Sequence, residues 1–128
     1  MALNPTVYAD LLEQRLKMTG AQIWMVNTGW TGGKYGVGKR ISIRETRAIV
    51  RAILNDCLGE VTFHKDPVFG FEVPTSVPGV NGQLLTPRDC WPDPAEYDKT
   101  YQAIAEKFKA NFAQFRNLVR PEVAQAGP

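Results

Sequence analysis

Residues 21–45 constrain the fold more than any other stretch of this chain. An apolar run, AQIWMV at 21–26, leads through a segment holding Gly29, Gly32, Gly33, Gly36 and Gly38 to the tetrad SIRE at 42–45. The run does not alternate apolar with polar residues. A strand with that composition is expected to be buried on both faces, in a covered sheet with parallel neighbours. Ser42 and Glu45 form a capping box, in which each side chain satisfies an orphan backbone donor of the other, so a helix starts after Ser42. A helix also precedes the run. Helix, buried strand, glycine loop and helix together predict an α/β fold.

Three helices are expected. The first takes Asn4 as N-cap and Pro5 as its first residue, lines Tyr8, Leu11, Leu12 and Leu16 along one face, and stops at Gly20. The second, after Ser42, carries an apolar stripe of Ile49, Val50, Ile53, Leu54, Cys57 and Leu58 and ends at Gly59. Arg44, Arg47 and Arg51 fall outside that stripe and form a solvated face. The third follows DPAE at 93–96. Its stripe of Tyr97, Tyr101, Ile104, Ala105, Phe108, Phe112, Phe115 and Leu118 runs until Pro121 closes the helix. Six of the nine prolines fall in residues 66–94, which excludes a long helix or a central strand there and predicts an extended surface strap. Residues 61–64 and 68–73 are candidate short strands.

A length of 128 residues suits one domain, and 44% hydrophobic with 22% charged residues reads as soluble and globular. The net charge of +2 offers no electrostatic footprint for nucleic acid or for an anionic membrane. The longest purely apolar run is residues 23–26, too short to span a bilayer. The first ten residues lack the basic and apolar regions of a secretory signal, and Cys57 and Cys90 form no CxxC. Free thiols in the cytoplasm are the expectation, with Cys57 a structural thiol on an apolar helix face. Trp24 reads as core, Trp30 as packing against the glycine loop, and His64, the one histidine, as an ordinary strand-end residue rather than a ligand. One shortage stands out. A doubly buried strand needs neighbours and cover, and the rest of the chain offers only weak strand candidates. Residues 1–128 are therefore expected to be a single partial domain, completed by further sequence or by association.

The glycine segment matches G-x-x-x-x-G-K over residues 33–39, but Arg40 stands where a phosphate-binding loop needs Ser or Thr for magnesium. Residues 27–32 also separate the expected strand from the first glycine of the motif, and the helix begins too late. A different role is expected. Glycines let the backbone approach a flat ligand, Arg40 offers a planar guanidinium for stacking on a ring, and Thr46 lies beside the positive end of the following helix. On these residues alone two readings stand: one wall of a nucleotide site, or a mobile loop with Arg40 solvated and Thr46 capping locally.

The segments NPTVYADLL, VNTGWTGGKYGVGKRISIRETRAI, DPVFGFEVPTSVPGV and LTPRDCWPDPAEYD, in this order and spacing, resemble the C-terminal quarter of ATP-dependent phosphoenolpyruvate carboxykinases. Asn4 and Cys90 depart from that pattern, which commonly has His and Thr there, and nothing resembles the base pocket of the GTP-dependent class. The resemblance implies a fold: the incomplete C-terminal part of a nucleotide-binding domain, with three helices around a buried strand plus the strap. It implies a gluconeogenic reaction, oxaloacetate plus ATP giving phosphoenolpyruvate, carbon dioxide and ADP, with magnesium and manganese as cofactors. By position, Arg40, Ile41 and Thr46 match the ATP-contacting residues near adenine and ribose. The family's phosphate loop, metal ligands and substrate arginines have no counterpart in this chain. It is therefore expected to hold no catalytic residue or metal ligand and to be inactive alone. The implied partners are ATP or ADP, oxaloacetate and phosphoenolpyruvate in the full-length enzyme, together with the upstream part of that enzyme or a second copy.

Overall fold

The computed structural model describes residues 3–128. Helix α1 spans Pro5–Thr19. The Asn4 side chain accepts from the Thr6 N–H, and Gly20 adopts φ 64°, ψ 16° as the left-handed stop. Helix α2 spans Ile43–Leu54 behind a complete Ser42–Glu45 capping box, a cap whose loss costs about 1 kcal/mol. Helix α3 spans Pro94–Phe112, with Asp93 accepting from the Ala95 N–H. All three starts lie where the capping residues put them.

Two helix ends differ from expectation. The second helix stops at Leu54, because Asn55 caps it and Asp56 turns left-handed at φ 53°. Leu58 still reaches the core, folded back through the turn, whereas Cys57 is left exposed rather than on an apolar face. The third helix breaks after Phe112. There the Gln114 side chain bonds the Asn111 carbonyl at 2.9 Å, a local competitor of the helical ladder. A 3-10 turn at Arg116–Leu118 follows, and Pro121 opens the short helix α4 (Pro121–Gln125) rather than closing α3.

Strands β1 (Trp30–Thr31) and β2 (Lys39–Arg40) pair antiparallel, as do β3 (Phe63–Lys65) and β4 (Glu72–Pro74). His64 lies exposed in β3, opposite Val73. The strap adds two 3-10 helices, Gly82–Leu85 and Pro87–Cys90. Four helices and two small antiparallel sheets among the described residues are compatible with a partial α/β domain.

The buried parallel strand at 21–26 is not found. The segment joins neither sheet, and Ile23 and Met25 are 62% and 79% exposed. A strand needs a neighbour's hydrogen bonds, and both sheets here are two-stranded and local. Trp24 is half-buried rather than core; it leans on the cluster of Ala52, Leu58 and Val77 with its ring 6.1 Å from Phe63. The second packing centre surrounds Ala105, the one fully buried residue of α3. Phe69, from the β3–β4 turn, sits 5.5 Å from the rings of both Tyr101 and Phe108. No helix among the described residues is long and apolar enough to cross a membrane.

Candidate functional site

The glycine segment is a β-hairpin, not a strand-to-helix phosphate cradle. Trp30 pairs with Arg40 and Thr31 with Lys39. At the tip, the N–H groups of Val37 and Gly38 both point at the Lys34 carbonyl, at 3.0 and 2.9 Å, so they are occupied within the loop. Gly38 is required by close approach: a Cβ there would stand 2.6 Å from the carbonyl oxygens of both Thr31 and Gly33. Gly32, at φ 74°, brings the hairpin against the strap, where a Cβ would lie 3.0 Å from the Cys90 oxygen. Trp30 meets Tyr35 edge-on at 5.4 Å, so it packs within the loop as its position suggested. Lys34 reaches Glu96 at the start of α3 (2.8 Å).

The hairpin delivers Arg40, Ile41 and Thr46 along one continuous segment, from the end of β2 into the first turn of α2. Arg40 is exposed and makes no ion pair among the described residues. Ile41 is half-buried, and its N–H donates to the Gly29 carbonyl at 2.8 Å. Thr46 is half-buried; its backbone N–H goes to Ser42 (3.0 Å), and its hydroxyl has no partner among the described hydrogen bonds. Asn27 was not singled out from sequence. Its Oδ1 accepts from the Gly29 N–H at 2.9 Å, and the signal for it is the Asn-Thr-Gly triplet ending the apolar run.

Two depressions lie elsewhere. One, of about 520 Å³, is lined by Asp66, Phe69 and Gln125, and the other, of about 480 Å³, by Glu13, Lys17 and Arg120. Neither includes Arg40, Ile41 or Thr46. Beside the first, Asp66 accepts from the Tyr101 hydroxyl and from the N–H groups of Val68 (3.0 Å) and Phe69 (2.6 Å). Burial alone raises the Asp66 carboxyl, but hydrogen bonds from Tyr101, Phe69, Val68 and Gly70 outweigh it, and the group titrates below the ordinary value. Burial, then the bond to Asp66 and its charge, hold the Tyr101 phenol well above its usual range. These serve packing: they tie the β3–β4 turn to α3. Among the described residues, no group of three or more His, Cys, Asp or Glu could hold a metal ion.

The hairpin and the capped helix thus present, on one segment, a guanidinium and a hydroxyl with no ion pair or hydrogen bond among those of the described residues. Comparison with known proteins names the chain's family. The model of the phosphoenolpyruvate carboxykinase family matches residues 1–83. The ATP-dependent phosphoenolpyruvate carboxykinase of Pelobacter propionicus is 47% identical over 126 residues, 98% of this chain and 24% of that protein. The corresponding enzyme of Cereibacter sphaeroides is 49% identical over the same shares, and that of Novosphingobium aromaticivorans is 49% identical over 100% of this chain and 24% of its own length. The chain belongs to the ATP-dependent phosphoenolpyruvate carboxykinase family. It spans about a quarter of the length of these curated relatives (24%) and corresponds to their C-terminal part.

Proposed function

We propose that this chain is part of a cytoplasmic ATP-dependent phosphoenolpyruvate carboxykinase and supplies the adenine and ribose side of its ATP site. The reaction is oxaloacetate plus ATP giving phosphoenolpyruvate, carbon dioxide and ADP. One observation carries the reading: a single braced segment presents the unpaired guanidinium of Arg40, the apolar side chain of Ile41 and the unpartnered hydroxyl of Thr46. A guanidinium plane suits the face of a purine, and a half-buried hydroxyl suits a ribose or base edge. Nucleotide chemistry therefore fits these residues. Phosphoryl transfer needs metals and cations around the transferring group, so the chain alone is inactive and binds ATP weakly.

In the intact carboxykinase, Arg40→Ala raises the KM for ATP more than it lowers kcat, and an effect on kcat alone would refute the adenine-wall role. Micromolar ATP affinity of this chain by itself, measured by calorimetry, would overturn the claim that half the pocket lies elsewhere. A second reading, a self-associating module without catalysis, is favoured by the unpaired segment 21–26 and by exposed Val7, Leu11 and Leu12 on α1. Light scattering tests this second reading, and a chain that stays monomeric at every concentration rules it out.

A further inference from the structure

We infer that Asn27 is the positioning residue that sets the nucleotide wall, acting through Gly29 on Ile41 and Arg40; this rests on the adenine-side reading above. The geometry is a two-step relay. The Asn27 carboxamide oxygen accepts the Gly29 N–H at 2.9 Å, and the Gly29 carbonyl accepts the Ile41 N–H at 2.8 Å. Both peptide groups of Gly29 are thereby fixed, one toward each limb of the hairpin. A Cβ at 29 would stand 3.3 Å from Asn27 Oδ1, a tight contact that the Asn27 side chain would have to relieve by a few tenths of an ångström.

The relay matters because the hairpin has little else at its root. The β1–β2 ladder is two residues long on each side, and an isolated two-stranded ribbon is marginal in water. The Trp30–Tyr35 contact and the Lys34–Glu96 pair hold the tip and leave the root free. On the far side, Arg40 and Ile41 run directly into the Ser42 cap, where the Glu45 N–H donates to Ser42 Oγ at 3.1 Å. Arg40 and Ile41 are thus strung between two hydrogen-bonded corners. One is the helix cap, and the other exists only while Asn27 holds Gly29. Without Asn27 the Thr28–Gly29 peptide is released, and the Gly29–Trp30 peptide that carries the acceptor for Ile41 loses its fixed neighbour across the Gly29 Cα. Asn27 is exposed and touches no part of the expected chemistry, so its effect is confined to where the wall sits.

The test is steady-state kinetics of the intact carboxykinase with Asn27→Ala, Asn27→Asp and Arg40→Ala. Asn27→Ala removes the acceptor and is expected to raise the KM for ATP about 2- to 10-fold, the range of one net hydrogen bond. The kcat and the KM for oxaloacetate should stay within about twofold. Asn27→Asp keeps an acceptor at the same place and should restore most of the ATP affinity. The inference is overturned if Asn27→Ala leaves the KM for ATP unchanged while Arg40→Ala raises it. It is equally overturned if the Ala and Asp variants behave alike, or if both KM values and kcat shift together with a lowered melting temperature, the mark of a merely structural role. If Arg40→Ala itself has no effect on the KM for ATP, the adenine-side reading fails first. If Asn27→Ala yields no folded enzyme, Asn27→Ser carries the test with its shorter acceptor: a KM for ATP between those of wild type and Arg40→Ala supports the relay, and a wild-type KM refutes it.

Discussion

Heating this chain alone should not give one sharp unfolding transition. A closed monomer of 14.3 kDa exposes about 6,800 Å² by the scaling of folded proteins. This chain exposes 9886 Å², an excess of about 3,000 Å². A standard protein interface takes about 800 Å² from each partner, so the uncovered surface is several times that. Its apolar part is visible by name: Leu12 and Met18 on α1, Ile23 and Met25 after it, Leu54 at the end of α2 and Phe108 on α3 are all more than half exposed. Against this stand four buried apolar residues, Ala52, Leu58, Val77 and Ala105, in two separate centres. A complete 128-residue domain absorbs about 90 kcal/mol at its melting temperature. Scanning calorimetry of this chain should find a small fraction of that, spread over a broad interval that moves with protein concentration, alongside light scattering that detects association. A monomer at every concentration, with one sharp transition near the full enthalpy, would refute the reasoning that these residues form a partial domain.

Gly38→Ala should destabilise the hairpin by about 1–3 kcal/mol, because its Cβ would press on the carbonyl oxygens of Thr31 in β1 and of Gly33 in the turn beside it. Gly36→Ala, at φ 87° with nothing within 4 Å, carries only the left-handed strain of about 1–2 kcal/mol; in the intact enzyme the KM for ATP should therefore rise for Gly38→Ala well beyond Gly36→Ala, and equal effects would count against a tight hairpin. The Asp66–Tyr101 pair predicts a pH dependence on both sides. Asp66 is depressed, so its contribution is full above the unfolded value of about 4 and is lost as the pH falls through the lower folded value. Tyr101 is raised, so its contribution is full below about 10 and is lost as the pH climbs toward the folded value. Tyr101→Phe should abolish the alkaline loss and weaken the acid one in urea-unfolding midpoints of the intact carboxykinase measured across pH; an unchanged profile would mean the bond does not persist in solution.

What was legible in the sequence was local. Asn4, Ser42 and Asp93 announce helix starts because each closes a hydrogen bond within three residues, a geometry needing no tertiary partner. Helix ends were less legible. The apolar spacing runs on through Leu58 and Leu118, yet the helices stop at Leu54 and Phe112: a turn returns Leu58 to the same core that a helix would, and Leu118 is left 58% exposed. Period alone does not distinguish the two routes. Of the proposed wall residues, Arg40 and Thr46 stood out through the glycines and the cap around them, and Ile41 only through the family resemblance. Asn27 did not, because its importance lies in the Gly29–Ile41 bond across the hairpin, which no spacing along the chain reveals.

Residues 21–26 explain why the remaining discrepancy has the form it does. Apolar density reports the surroundings a segment is built for, not those a given stretch of chain provides. Here the two can be compared side by side. Trp24 and Val26 are half-buried while Ile23 and Met25 are largely exposed, the alternation of a strand with one face covered and the other open. On the covered face, Trp24 rests on Ala52, Leu58 and Val77, cover that this chain supplies from α2, the turn after it and the strap. The open face and both hydrogen-bonding edges find nothing among the described residues. So the expectation of double burial misplaced the neighbours rather than the segment's character: half of the environment it implies is present. The glycine hairpin hangs from the end of this same segment at Asn27, which links the two problems. Whatever fixes the open face of residues 21–26 also fixes the root from which Arg40 and Ile41 are presented. The proposed nucleotide wall is expected to gain its full order only when that face is covered, so the weak ATP binding and the broad melt expected of the chain alone would share one cause.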